Sequence, residues 1–70
     1  MAEVRAEMVA NVWKVVASEG DQVNDGDTLV ILESMKMEIP VLAEGPGVLT
    51  KMHVAEGDVI QEGDLIAVIS

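Results

Sequence analysis

Sliding the sequence against itself by 37 positions brings like residues together along most of its length. Glu19-Gly20-Asp21 falls on Glu56-Gly57-Asp58, and Gly26-Asp27 falls on Gly63-Asp64. Lys14 meets Lys51, Val4 meets Val41, and Ala6-Glu7 meets Ala43-Glu44. Val23 meets Ile60, Ile31 meets Val68 and Leu32 meets Ile69. This many matches at one offset indicate an internal duplication. It divides residues 1–70 into half-repeats 1–33 and 38–70 around a joint at 34–37. Neither half is large enough to bury a core alone, so the two must pack on each other as a single domain. If a two-fold axis relates them, the joint projects from one end of the domain and the chain termini from the other.

Each half reads as short strands. Val12, Val15, Val16, Leu29, Val30, Ile31 and Leu32 form branched or strand-compatible runs, and so do Val41, Val48, Leu49, Val54, Val59, Ile60, Ile66, Val68 and Ile69. Gly20-Asp21, Asp25-Gly26-Asp27, Gly45-Pro46-Gly47, Glu56-Gly57-Asp58 and Glu62-Gly63-Asp64 interrupt them, which leaves no room for a helix of about ten residues. The chain has no Cys, Phe or Tyr, so aliphatic side chains must make the core without disulfides. The expected fold is all-β, a flattened barrel or sandwich of two small sheets with pseudo-two-fold internal symmetry. Gly20, Gly26, Gly57 and Gly63 are expected at tight turns or positive φ. The aspartates that follow them, Asp21, Asp27, Asp58 and Asp64, are expected to cap turn backbone. Their spacing recurs by duplication and lacks a calcium-loop pattern, so no metal site is expected. Gly47, after Pro46, reads as part of the turn that opens a strand of the second half. Trp13 is aligned with Thr50 and reads either as a core anchor or as an exposed patch. His53, aligned with Val16, has no nucleophile context and reads as structural or surface, so no catalytic residue is expected.

Thirteen Asp and Glu against four Lys and Arg give a formal net charge of -9. Such a chain repels phosphate backbones and anionic membrane surfaces, so neither nucleic acid nor membrane is an expected partner, while a basic protein is a permitted one. No apolar run approaches the roughly 20 residues of a helical membrane span, and Met1 to Glu7 lack a signal-peptide core. A cytoplasmic monomer is the expectation.

Against that acidity, Lys36 stands in Glu33-Ser34-Met35-Lys36-Met37-Glu38, between two methionines at the midpoint of the duplication. Strands on both sides make the joint a hairpin with the lysine at its apex. An exposed ammonium is a poor nucleophile and a poor base, but it is a handle that another enzyme can deprotonate and modify. From the residues alone, Lys36 is either that handle or an ordinary surface lysine. Met35 and Met37 either cap the core or, sharing a face of an extended chain opposite the lysine, offer thioethers to a partner groove. Glu33 and Glu38 read as partner-facing or solubilising acids.

The hairpin resembles the attachment site of biotinyl domains, whose hallmark is an A/S-M-K-M core. The resemblance extends over the chain, through Gly20-Asp21, Gly26, Gly47 and the Gly57-Asp58 and Gly63-Asp64 repeat. It implies a barrel-sandwich hybrid of two four-stranded antiparallel sheets. It also implies covalent biotin in amide linkage on Lys36, with Met35, Met37, Ser34, Glu33 and Glu38 recognised by a biotin protein ligase. The implied function is a non-catalytic biotin carrier that shuttles a carboxyl group from a biotin carboxylase to a carboxyltransferase. Lipoyl domains look alike in fold and glycine spacing, but their lysine more often sits between Asp and Ala, so the two methionines favour biotin. The repeat alignment needs no insertion and therefore no protruding thumb. The chain looks most like thumbless carrier domains and the small free-standing biotin/lipoyl attachment proteins.

Overall fold

The computed structural model describes residues 2–70. It contains eight strands: β1 (Ala2–Arg5), β2 (Ala10–Val15), β3 (Gln22–Val23), β4 (Thr28–Ser34), β5 (Met37–Leu42), β6 (Gly47–Met52), β7 (Val59–Ile60) and β8 (Leu65–Ile69). They form two four-stranded sheets, ordered β1-β8-β6-β3 and β5-β4-β2-β7, and every pairing is antiparallel. This is the all-β sandwich that the strand runs and turn punctuation predict.

The two sheets are one pattern repeated with pseudo-two-fold symmetry. Leu32 pairs with Ile39 and Ile31 with Pro40 in β4–β5. Ile69 pairs with Ala2 and Val68 with Glu3 in β8–β1, each position displaced by 37 in sequence. Bulges repeat as well. Trp13 is the extra residue between the Val12–Leu32 and Lys14–Ile31 pairs, and Thr50 is the extra residue between Leu49–Ile69 and Lys51–Val68. The halves are also bound reciprocally. The Glu19 carboxylate accepts from the Met52 N–H at 2.9 Å, and the Glu56 carboxylate accepts from the Val15 N–H at 3.5 Å.

The core is aliphatic and follows the same symmetry. Val12 and Leu49 occupy equivalent positions and are fully buried, and so are Leu29 and Ile66. Among the described residues no polar side chain is buried, so the small interior carries no unpaired polar group. β4 and β8 are each flanked by a strand on both sides, which accounts for the successive apolar positions Leu29 to Leu32 and Ile66 to Ile69: Leu29, Val30 and Leu32 are buried, and Ile31 is half-buried.

One turn design serves four sites. At Ser18-Glu19-Gly20-Asp21 the Asp21 N–H donates to the Ser18 carbonyl at 3.1 Å, and Gly20 takes φ 94°, as the third residue of a type II turn requires. The Asp21 carboxylate accepts from the Ser18 N–H at 2.9 Å, which closes the turn a second way. Asp27, Asp58 and Asp64 make the same bond after Gly26, Gly57 and Gly63. Their carboxylates are thus engaged in backbone capping.

Gly47 is a correction. It lies within β6 rather than in a turn, and its φ is not positive. A Cβ there would meet the Ile69 Cγ2 and the Ser70 carbonyl oxygen, each at 2.6 Å. Gly47 is glycine because β8 passes too close for any side chain. The chain bends sharply at Gly45 instead, at φ 148°.

Candidate functional site: the β4–β5 hairpin

The joint is tighter than four residues. Strand β4 runs through Ser34 and β5 begins at Met37, with Glu33 facing Glu38 and Ser34 facing Met37. Met35 and Lys36 alone make the turn, at φ 52° and 65°. Two successive left-handed residues are the signature of a type I′ turn, whose twist matches that of the flanking strands. Asn and Gly normally occupy these positions, because a Cβ there costs about 1–2 kcal/mol per residue. Methionine and lysine hold this conformation because β4 is clamped between β2 and β5, so the register leaves only two residues to reverse the chain. We expect Met35→Asn to raise the melting temperature by about 4–8 °C, for relief of roughly 1 kcal/mol, when measured by calorimetry.

This geometry places each residue of the motif. Lys36 is exposed at the apex. Among the described residues no hydrogen bond or ion pair engages its Nζ, whereas Arg5 pairs with Glu3 at 2.9 Å and the Lys14 Nζ lies 5.2 Å from the centroid of the Trp13 ring. Met35 is 88% exposed and Met37 58%, so neither caps the core. Nor do they share a face of an extended strand, because Met35 belongs to the turn and Met37 to β5. Ser34 is half-buried where it closes the hairpin. Glu33 and Glu38 are both exposed and stand directly opposite each other across β4 and β5. Like charges in facing positions destabilise a sheet, so folding does not account for this pair. A groove of about 940 Å³ runs between the edge strands β1 and β5, but none of Met35, Lys36, Met37 and Glu38 lines it. The amine therefore stands on a rigid tip in solvent, with no walls around it to align or desolvate a reacting group.

A family model described as "Biotin-requiring enzyme" matches residues 2–69. The chain belongs to the biotinyl/lipoyl attachment domain family. A relative from Mycobacterium leprae, described as "Biotinylated protein TB7.3 homolog", is 69% identical over 71 residues and is covered completely, as is this chain. Its counterpart in Mycolicibacterium smegmatis is 73% identical over 70 residues, with 99% of each chain covered. The crystal structure of Kluyveromyces lactis urea carboxylase contains a domain that superposes with a TM-score of 0.92 at 39% identity, spanning 99% of this chain and 6% of that one.

A biotinyl/lipoyl attachment domain is a non-catalytic carrier module, which accords with an amine that lacks any enclosing site. The hairpin also fits a covalently held prosthetic group. Its lysine offers a nitrogen free of partners among the described residues, on a turn fixed by six register pairs between β4 and β5. Two features of the tip lay beyond sequence reasoning. The left-handed pair carries no Asn or Gly to announce it, and the bulge that turns Trp13 outward leaves no trace in composition.

Proposed function

We propose that the chain is a biotin carrier, one biotinyl domain whose half-repeats 1–33 and 38–70 meet at the hairpin 34–37, with biotin in amide linkage on Lys36. The observation that carries this reading is the exposed amine, unpartnered among the described residues, on a two-residue turn between Met35 and Met37. The methionines favour biotin over lipoyl, and both mycobacterial relatives are described as biotinylated.

Acylation proceeds by attack of the neutral Nζ on the carbonyl carbon of a biotinyl-adenylate held by a biotin protein ligase. The new amide C–N bond replaces the acyl–phosphate bond, AMP leaves, and the displaced protons pass to a base on the ligase. The chain's part is to hold the nitrogen still and accessible. The β4–β5 register removes backbone freedom at the apex, and four methylenes carry the amine away from the backbone. Amide formation also removes the one positive charge between Glu33 and Glu38, leaving the tip uniformly acidic. Bound biotin supplies a ureido nitrogen able to carry a carboxyl group between a biotin carboxylase and a carboxyltransferase. A swinging arm gains from tethering, which holds reactants at about millimolar effective concentration.

Intact mass after co-expression with a biotin ligase, and separately with a lipoate ligase, tests the reading. One biotinyl group per chain and no lipoyl group is the expected result. A chain modified by the lipoate ligase alone, or by neither, rejects it.

A further inference from the structure

The pseudo-two-fold axis provides an internal control, because each position on one sheet has a mate on the same backbone in the other. Leu32 and Val30 of β4 are buried, so Ile31 between them points to the outer face of the hairpin sheet. Pro40 pairs with Ile31 from β5 and Leu42 lies two residues farther on; on the β2 side Lys14 pairs with Ile31 and lays its chain over the bulged Trp13, and Val16 follows β2. The mates of Ile31, Pro40, Leu42, Trp13 and Val16 on the other sheet are Val68, Glu3, Arg5, Thr50 and His53. Four of the five exchanges replace an apolar residue with a polar one. Glu3 and Arg5 satisfy each other as an ion pair at 2.9 Å. Trp13, Val16 and Leu42, by contrast, stay 41%, 54% and 43% exposed. One backbone supports both sets, so folding does not require the apolar one.

Charge and area identify what covers this face. A second copy would bring two formal charges of -9 together and set two Glu33–Glu38 pairs near each other. Five partly exposed side chains also fall well short of the roughly 800 Å² per partner of a stable interface. A protein that acts on the Lys36 amine is different. The side chain is short, so such a partner must come down onto the hairpin, and a footprint of about 800 Å² has a radius of roughly 16 Å. At about 3.3 Å per residue, the facing pair Ile31 and Pro40 lies roughly 13 Å along the strands from the apex and Leu42, two residues on, roughly 20 Å, all within the roughly 32 Å that such a footprint spans when the apex lies at its edge. Between the apex and the patch stand Glu33 and Glu38.

We infer that the outer face formed by Trp13, Val16, Ile31, Pro40 and Leu42 docks the ligase that acylates Lys36, through an apolar site on the ligase rimmed by basic residues. The inference rests on the carrier reading. It is tested by transplanting the mates, Trp13→Thr, Val16→His, Pro40→Glu and Leu42→Arg, in one chain, since each replacement already stands on the equivalent backbone of the other sheet. Glu3→Gln with Arg5→Gln on the opposite face is the control. In steady-state acylation by a biotin ligase, the transplanted chain should raise KM for the carrier about tenfold or more while kcat stays within about twofold, and the control should match wild type. An unchanged KM overturns the inference while leaving the carrier reading intact. Failure to label the wild-type chain overturns the carrier reading itself. If the transplanted chain does not fold, amide-shift mapping of the wild-type chain titrated with ligase decides. Perturbations centred on Trp13, Ile31 and Leu42 support the inference, and perturbations limited to 33–38 contradict it.

Discussion

Lys36→Arg should abolish acylation, with no mass increment after exposure to a biotin ligase that labels the wild-type chain to completion. The substitution preserves length, charge and exposure, so folding and any electrostatic attraction to the ligase are retained. What it removes is chemical: a guanidinium does not deprotonate in proteins and offers no nucleophilic amine. The other two lysines should not take over. Lys14 packs over the Trp13 ring in β2, and Lys51 lies within β6 opposite Val68, so neither stands at the apex of a turn. Lys14→Arg and Lys51→Arg should therefore label like wild type. Intact masses of the three variants under one protocol decide the matter, and residual labelling of Lys36→Arg would show that the apex is not the site.

The largest loss of stability is expected from Gly47→Val. A Cβ at position 47 already reaches 2.6 Å from the Ile69 Cγ2 and from the Ser70 carbonyl oxygen, and the second atom is backbone that cannot rotate away. Overpacking of this kind costs about 1–3 kcal/mol, and two further methyl groups place valine at the upper end. For a domain of this size that corresponds to a fall in melting temperature of roughly 10–20 °C. Gly20→Ala is the informative comparison. Nothing lies within 4 Å of its added Cβ, so only the strain of φ 94° is felt, about 1 kcal/mol. If the two variants melt together, β8 yields more readily than its contacts imply.

Much of the fold is legible in the sequence because the duplication relates one half to the other. The Gly-Asp pairs mark four turns whose carboxylates close on their own backbone, and the apolar runs mark two strands that lie inside their sheets. The repeat offset also anticipates the pairing, since Leu32–Ile39 recurs as Ile69–Ala2. Gly47 was misread because its requirement is not local. It depends on β8 crossing at contact distance, and the equivalent position, Ala10, accommodates a Cβ. At the hairpin the lysine and its neighbours are visible as a motif, but the turn type is not, since Met35 and Lys36 adopt φ values that neither residue prefers. Trp13 stayed ambiguous for a similar reason. Its mate, Thr50, tolerates the same bulge with a polar side chain, so the alignment of the halves says nothing about which way the ring points.

Fragment-ion mapping of a proteolytic digest of the acylated wild-type chain tests most directly whether the free amine on the two-residue turn receives the prosthetic group. The expected result is a single biotinyl group, found only on the peptide carrying Met35-Lys36-Met37 and assigned by its fragments to the lysine. Biotin on Lys14 or Lys51, or spread among the three in proportion to exposure, would contradict it.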